Sequence, residues 1–103
     1  CSISVFWKDL QSVYVGCNRN FLMDAGLQTM ADIVGKTDND MPWGANNSAQ
    51  IQTDDRHVMQ SDTAESGIEQ TLVRADGQKI WIETNKLPLH DLSGEIVGIL
   101  GSY

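Results

Sequence analysis

The stretch from Val34 to Gly44, VGKTDNDMPWG, sets Asp38, Asn39 and Asp40 in consecutive positions ahead of Met41, Pro42 and Trp43. Oxygen donors at that density raise calcium chemistry first. A helix-loop-helix calcium loop needs oxygens at alternate positions, a glycine at the sixth and a glutamate at the twelfth. Counted from Asp38, the third position is Asp40, but the fifth is Pro42 and the sixth Trp43, so the ligand series stops after two oxygens. No metal site is expected here. Instead, Asp38 or Asn39 can cap a one-turn helix containing Met41 and Trp43, which makes the acidic cluster architecture at the mouth of a pocket.

The other reactive side chains read in the same way. His57 has Asp54, Asp55 and Arg56 beside it, and a helical face so rich in charge meets water. His90 adjoins the turn DLSG and is a turn residue. Cys17 has no motif-linked histidine and no activating helix dipole, so it reads as a small, partly buried thiol rather than a nucleophile. Lys86 is the most informative charge. In WIETNKLPL, period-2 alternation puts Ile80, Ile82, Thr84 and Lys86 on one face and Trp81, Glu83, Asn85 and Leu87 on the other. A lysine pointing inward must be paired or reach water; Asp38 and Asp40 are the candidate partners, and snorkelling to the strand's end beside Pro88 is the alternative. No acid/base pair, nucleophile elbow or phosphate-cradling glycine loop indicates an enzyme.

Bulk properties narrow the partners. The 103 residues are 41% hydrophobic, which suits one compact domain. Seven basic and fourteen acidic side chains give 7 − 14 = −7, and the pI is near 4.4, so nucleic acid would be repelled. No apolar window approaches a membrane span and no leader opens the chain, so a cytoplasmic protein is expected. The start at Cys1 and the finish inside an apolar run read as a segment excised from a longer protein. Cys1 and Cys17 are too few for a disulfide framework or a zinc site, consistent with a reducing compartment.

These residues have to be held by elements. ISVFWKDL and SVYVGCN are short, β-branched and aromatic, and separated by polar residues: a hairpin. From Asn18 the period turns helical through Phe21, Leu22, Ala25, Leu27, Met30, Ile33 and Val34, with Asn18 as N-cap and Gly26 and Gly35 as stops, which predicts two short helices. Ser48 can cap a longer helix to about Ser61, with Ile51, Asp55, Val58 and Met59 at near-helical spacing. GIEQTLVRADGQKIWIETNKLPL holds two β-runs around an Asp-Gly turn, and Ser93-Gly94 leads into a last strand. The order ββ, helices, βββ is an α+β plan: a five-stranded antiparallel sheet with short helices over one face and a pocket between.

FWKDLQSVYVGCNRNFL, DIVGKTDNDMPW, DDRHVM and DGQKIWIETNKLPLHDLSGEIVGILGSY, in that order, resemble the PAS sensory domains over nearly the whole chain. The last segment is the most specific, with Gly77, Trp81, Thr84, Lys86, Pro88-Leu89, Asp91, Gly94 and Gly98 matching the family's paired C-terminal strands in type and spacing. The resemblance implies a cavity whose lining includes Met23, Asp38, Asp40, Met41, Trp43, Leu72, Ile82, Thr84 and Lys86. Lys86 would offer its ammonium to an anionic or carbonyl ligand. Trp81 would pack outward, and Phe6, Trp7 and Trp81 would serve an interface in a homodimer. Flavin is not expected: the cysteine precedes the Asn in GCNRNFL, and Leu72 and Ile82 stand where flavin binders carry amides. Heme is not expected either, because His57 lacks an apolar slot. The implied function is a cytoplasmic, non-enzymatic module of a bacterial signalling protein. It binds a small ligand or partner and signals to a histidine kinase, diguanylate cyclase or DNA-binding regulator in the same chain. The alternative is a ligand-free spacer for dimerisation and coupling, its cavity closed by Met23, Met41, Leu72 and Ile82.

Overall fold

The computed structural model describes residues 3–103; Cys1, and any pairing it could make, lies outside them. Strand β1 (Val5–Asp9) turns through Ser12 into β2 (Tyr14–Cys17), and Asp9 Oδ1 accepts from the backbone N–H groups of Gln11 and Val13 at 2.9 and 3.0 Å. Helices α1 (Arg19–Ala25) and α2 (Met30–Ile33), a one-turn 3-10 helix (Asp38–Asp40) and the long α3 (Gly44–Ser61) follow. Strands β3 (Glu65–Val73), β4 (Lys79–His90) and β5 (Ile96–Ser102) complete the chain. The five strands form one antiparallel sheet in the order β2-β1-β5-β4-β3, so β5 lies between β1 and β4.

The local signals behave as their chemistry requires. Asn18 accepts from the Phe21 N–H at 3.1 Å and starts α1, and Gly26, at φ 75°, ends it in the left-handed region. Gly77 and Gly94, at φ 84° and 88°, turn the two C-terminal hairpins.

Two expectations are corrected. Helix α3 begins at Gly44 rather than after Ser48, which is buried within it. The Trp43 carbonyl takes the first amides, from Asn46 and Asn47 at 3.1 and 2.9 Å, and Gly44 fits because a Cβ there would fall on the Asn39 carbonyl. The 3-10 turn contains Asp38, Asn39 and Asp40 rather than Met41 and Trp43. Its N-cap is Thr37, whose N–H donates to Asp40 Oδ2 at 3.0 Å in a capping box.

The helices cover one sheet face. Phe21 stands at its centre, with ring centroids 5.1 Å from Phe6, 5.4 Å from Tyr14 and 5.6 Å from Trp43. A smaller cluster of Val58, Met59 and Ile99 seals the C-terminal end of α3 against β5.

Candidate functional site: a buried chain of charges beside a small cavity

Alternation along β1 turns Phe6 and Lys8 inward, and alternation along β4 does the same for Thr84 and Lys86. Two lysines thereby enter the interior at 2% exposure each, opposite Asp38 from the 3-10 turn and Asp55 from α3, both at 0%. Lys8 Nζ donates to Asp38 Oδ2 at 2.6 Å and to Asp55 Oδ2 at 2.7 Å. Lys86 Nζ donates to Asp55 Oδ1 at 2.7 Å and to the Ile51 carbonyl at 3.4 Å. The far oxygen of Asp38 accepts from Tyr14 Oη at 2.6 Å and Trp43 Nε1 at 3.0 Å. Lys8 Nζ also lies 4.8 Å from the Tyr14 ring centroid and 5.1 Å from that of Phe6. The result is one continuous chain, Trp43 and Tyr14 to Asp38 to Lys8 to Asp55 to Lys86, in which two ammonium groups meet two carboxylates.

Burial opposes the charge on Asp55, but the ion pairs with Lys8 and Lys86 outweigh it and hold its pKa below the ordinary carboxylate value. Burial, and then the neighbouring Asp38 charge, raise the Tyr14 phenol well above its usual range. Tyr14 is therefore a standing donor to Asp38 at neutral pH.

A cavity of about 20 Å³ adjoins this chain, with Phe6, Tyr14, Asp38, Trp43, Leu72, Ile82, Thr84, Lys86 and Tyr103 in its wall. The Thr84 hydroxyl, on a residue 2% exposed, has no hydrogen-bond partner among the described residues. Such an orphaned polar atom costs free energy unless something fills the space beside it.

The structure thus brings together Asp38, Trp43, Leu72, Ile82, Thr84 and Lys86 and separates the rest of the expected set. Met23 is 67% exposed on α1 and lines surface grooves, because the face of that short helix turned to the core carries Phe21, Leu22 and Ala25 instead. Asp40 is exposed, its carboxylate turned back onto Thr37. Met41 is buried in the hydrophobic cluster rather than in the cavity wall. The partner of Lys86 is Asp55, not Asp38 or Asp40, and the ammonium is consumed by that pair rather than free for an anion. Phe6 is buried in the cavity wall and cannot serve an interface. Trp7 lies on the outer face over Gly16, where a Cβ would strike its indole, and Trp81 is 77% exposed.

Cys17 is buried, its Sγ 3.9 Å from Met30 Sδ, and burial pushes its thiol up to about 11. His57 lies at the surface 3.4 Å from Glu65, and His90 ends β4 with Nε2 2.8 Å from Asp62 Oδ1, a link to α3 beyond a turn role. No helix among the described residues is long and apolar enough to cross a membrane.

Sequence reasoning missed Lys8, Tyr14 and Asp55 as site residues. The signal was available: Lys8 shares the alternating face of Phe6, and Asp55 falls on the apolar stripe of α3.

An antiparallel sheet in this order, with helices over one face and a cavity between, defines a class of small α+β domains. The chain belongs to the PAS fold family, whose model matches residues 2–103. It is similar to the Vibrio cholerae VqmA dimer solved in the absence of target DNA, with 30% identity and a TM-score of 0.85 over 94% of this chain and 44% of that one. VqmA bound to DPO is similar at 29% identity and a TM-score of 0.84, covering 95% and 50% of the two chains. The PAS domain of a Colwellia psychrerythraea protein shares the fold at 20% identity and a TM-score of 0.76, covering 97% and 82%. The chain spans half or less of the VqmA chains it matches. No curated protein matches it.

Proposed function

We propose that this domain is a sensor. It binds a small, neutral ligand with polar edges in the cavity between sheet and helices, and passes occupancy to an effector in the same, longer cytoplasmic protein. The observation that carries this reading is the self-neutral Lys8–Asp38–Asp55–Lys86 chain beside an unpartnered Thr84 hydroxyl. Buried ion networks rarely outperform apolar packing as a source of stability, so a core that only had to be filled would gain nothing from this one. Because each lysine is already neutralised, an anionic ligand would unbalance the site. A neutral ligand that exchanges hydrogen bonds with Thr84, Tyr14 and the Lys86–Asp55 pair would not.

The likeness to VqmA bound to DPO supports a small organic ligand, and the likeness to the VqmA dimer, a receptor that has a target DNA, favours a DNA-binding regulator as the effector. The domain itself would contact no nucleic acid. Its two-state character follows from thermodynamics: a ligand shifts the sheet only by preferring one arrangement over another.

The cavity volume of about 20 Å³ supports one rival reading, a filled PAS core acting as a spacer, because that space admits roughly one water. Native mass spectrometry of freshly purified protein and a thermal titration with DPO separate the two. The sensor reading expects either a retained small molecule or a melting-temperature rise with DPO, lost in Lys86→Met. A bare mass together with a flat DPO titration establishes the spacer.

A further inference from the structure

Tyr103 lines the cavity with its ring, bonds Asp24 with its hydroxyl, and pairs with Ser4 through its main chain. Its ring lines the cavity and meets Phe21 edge-on, at 6.2 Å between centroids and 63° between planes. Its hydroxyl donates to Asp24 Oδ2 at 2.7 Å. The same oxygen accepts from Ser4 Oγ at 2.9 Å, and Ser4 Oγ accepts from Asn20 Nδ2 at 2.7 Å. The main chain closes the loop, since the N–H of Ser4 donates to the Tyr103 carbonyl and the N–H of Tyr103 to the Ser4 carbonyl, both at 2.9 Å. Burial first, and the Asp24 bond second, raise the phenol's pKa, so it stays a donor at neutral pH.

We propose that Ser4, Asp24 and Tyr103 form a latch that reports the filling of the cavity to the backbone just before β1 and just after β5. The proposal takes from the sensor reading only that the cavity is where the signal enters. At about 20 Å³, anything larger than one water must displace a side chain of the wall. Tyr14 and Trp43 both donate to Asp38, and moving either strips a partner from a buried ion. Phe6 is 5% exposed and packed between Tyr14 and Phe21. Tyr103 is half-buried and gives up a single bond to a carboxylate that water can re-solvate. It is the aromatic wall residue that yields most cheaply. When its hydroxyl leaves Asp24, the Ser4–Tyr103 pair loses the side-chain brace behind it.

The test needs no ligand. In Tyr103→Phe, the Ser4 and Tyr103 amides should exchange with solvent at least about tenfold faster, the loss expected for a hydrogen bond to a charged group, while the Trp7 and Leu100 amides stay protected. Ile82→Phe, which crowds the cavity from β4, the neighbour of β5, should produce the same acceleration with Tyr103 present and none beyond it in the double variant. Thr84→Ile replaces Ile82→Phe if the latter does not fold. Unchanged exchange in Tyr103→Phe, or effects that simply add in the double variant, overturns the latch. Neither outcome touches the sensor reading, which stands or falls on the mass and the titration.

Discussion

Replacing Asp55 by asparagine would leave Lys86 with no counter-charge, only a neutral amide oxygen and the Ile51 carbonyl at 3.4 Å, while Lys8 keeps Asp38 at 2.6 Å. An ammonium stranded at 2% exposure is the expensive outcome, so Asp55→Asn should lose about 3–5 kcal/mol in urea unfolding. The double variant Asp55→Leu with Lys86→Met removes both members of that pair and should recover a substantial part of the loss. If it is no more stable than Asp55→Asn, the pairing of Lys86 with Asp55 is not what holds this end of the chain. The pH dependence has a definite sign. The Asp55 pKa is lowered on folding, so its contribution is present above the unfolded carboxylate value, about 4, and disappears as pH falls through the folded value. Stability measured from pH 5 downward should fall more steeply in the parent protein than in Asp55→Asn; parallel curves would contradict the shift. Alternation set Lys86 on one face with Ile80, Ile82 and Thr84, but which face turns inward was legible only from the resemblance to the PAS domains. Its partner was not, because Asp55 sits in the charged run Asp54-Asp55-Arg56-His57, which reads as a solvated face although Asp55 shares the stripe of Ile51, Val58 and Met59.

Elements decide which of those carboxylates matters. The capping box on Thr37 claims Asp40, and that leaves Asp38 aimed into the interior, where Tyr14, Trp43 and Lys8 all reach it. Strand β5 runs between β1 and β4, the two strands that carry the lysines, and pairs Gly98 with Asp9 and with Leu89. A Cβ at Gly98 would land on the Lys8 carbonyl, so the glycine lets β1 approach β5 at the position from which Lys8 projects. Gly98→Ala should push β1 away and lower stability by roughly 1–3 kcal/mol, the usual cost of overpacking. The Lys8 amide, opposite Ile99 across β1 and β5, should lose exchange protection with it. A variant with unchanged stability would mean that this approach is not enforced. The strands and their turns were readable because Asp-Gly and Ser-Gly mark positive φ. The start of α3 was not, because Gly44 is chosen by contact with the Asn39 carbonyl, which no local pattern announces.

At the scale of the whole molecule, the sheet has one face under helices and one without cover among the described residues. Register places Trp7 opposite Leu100, and Leu100 opposite Leu87, so an apolar row crosses three strands on the open face, with exposed Trp81 further along β4. The resemblance to the PAS domains made this face legible for Trp81 and Trp7, whereas grouping Phe6 with them ignored that adjacent residues of a strand point to opposite sides. Large aromatic side chains are the usual anchors of protein contacts, whereas the net charge of −7 opposes association between copies. If this face joins two copies of the domain, Trp81→Ser should weaken self-association at least about tenfold in sedimentation, with stability of the single copy changed by less than about 0.5 kcal/mol because the indole is 77% exposed. Higher salt should strengthen the parent dimer by screening the shared negative charge. A sedimentation profile that is monomeric for the parent protein at every salt concentration, or identical for the parent and Trp81→Ser, would assign the open face to some other contact.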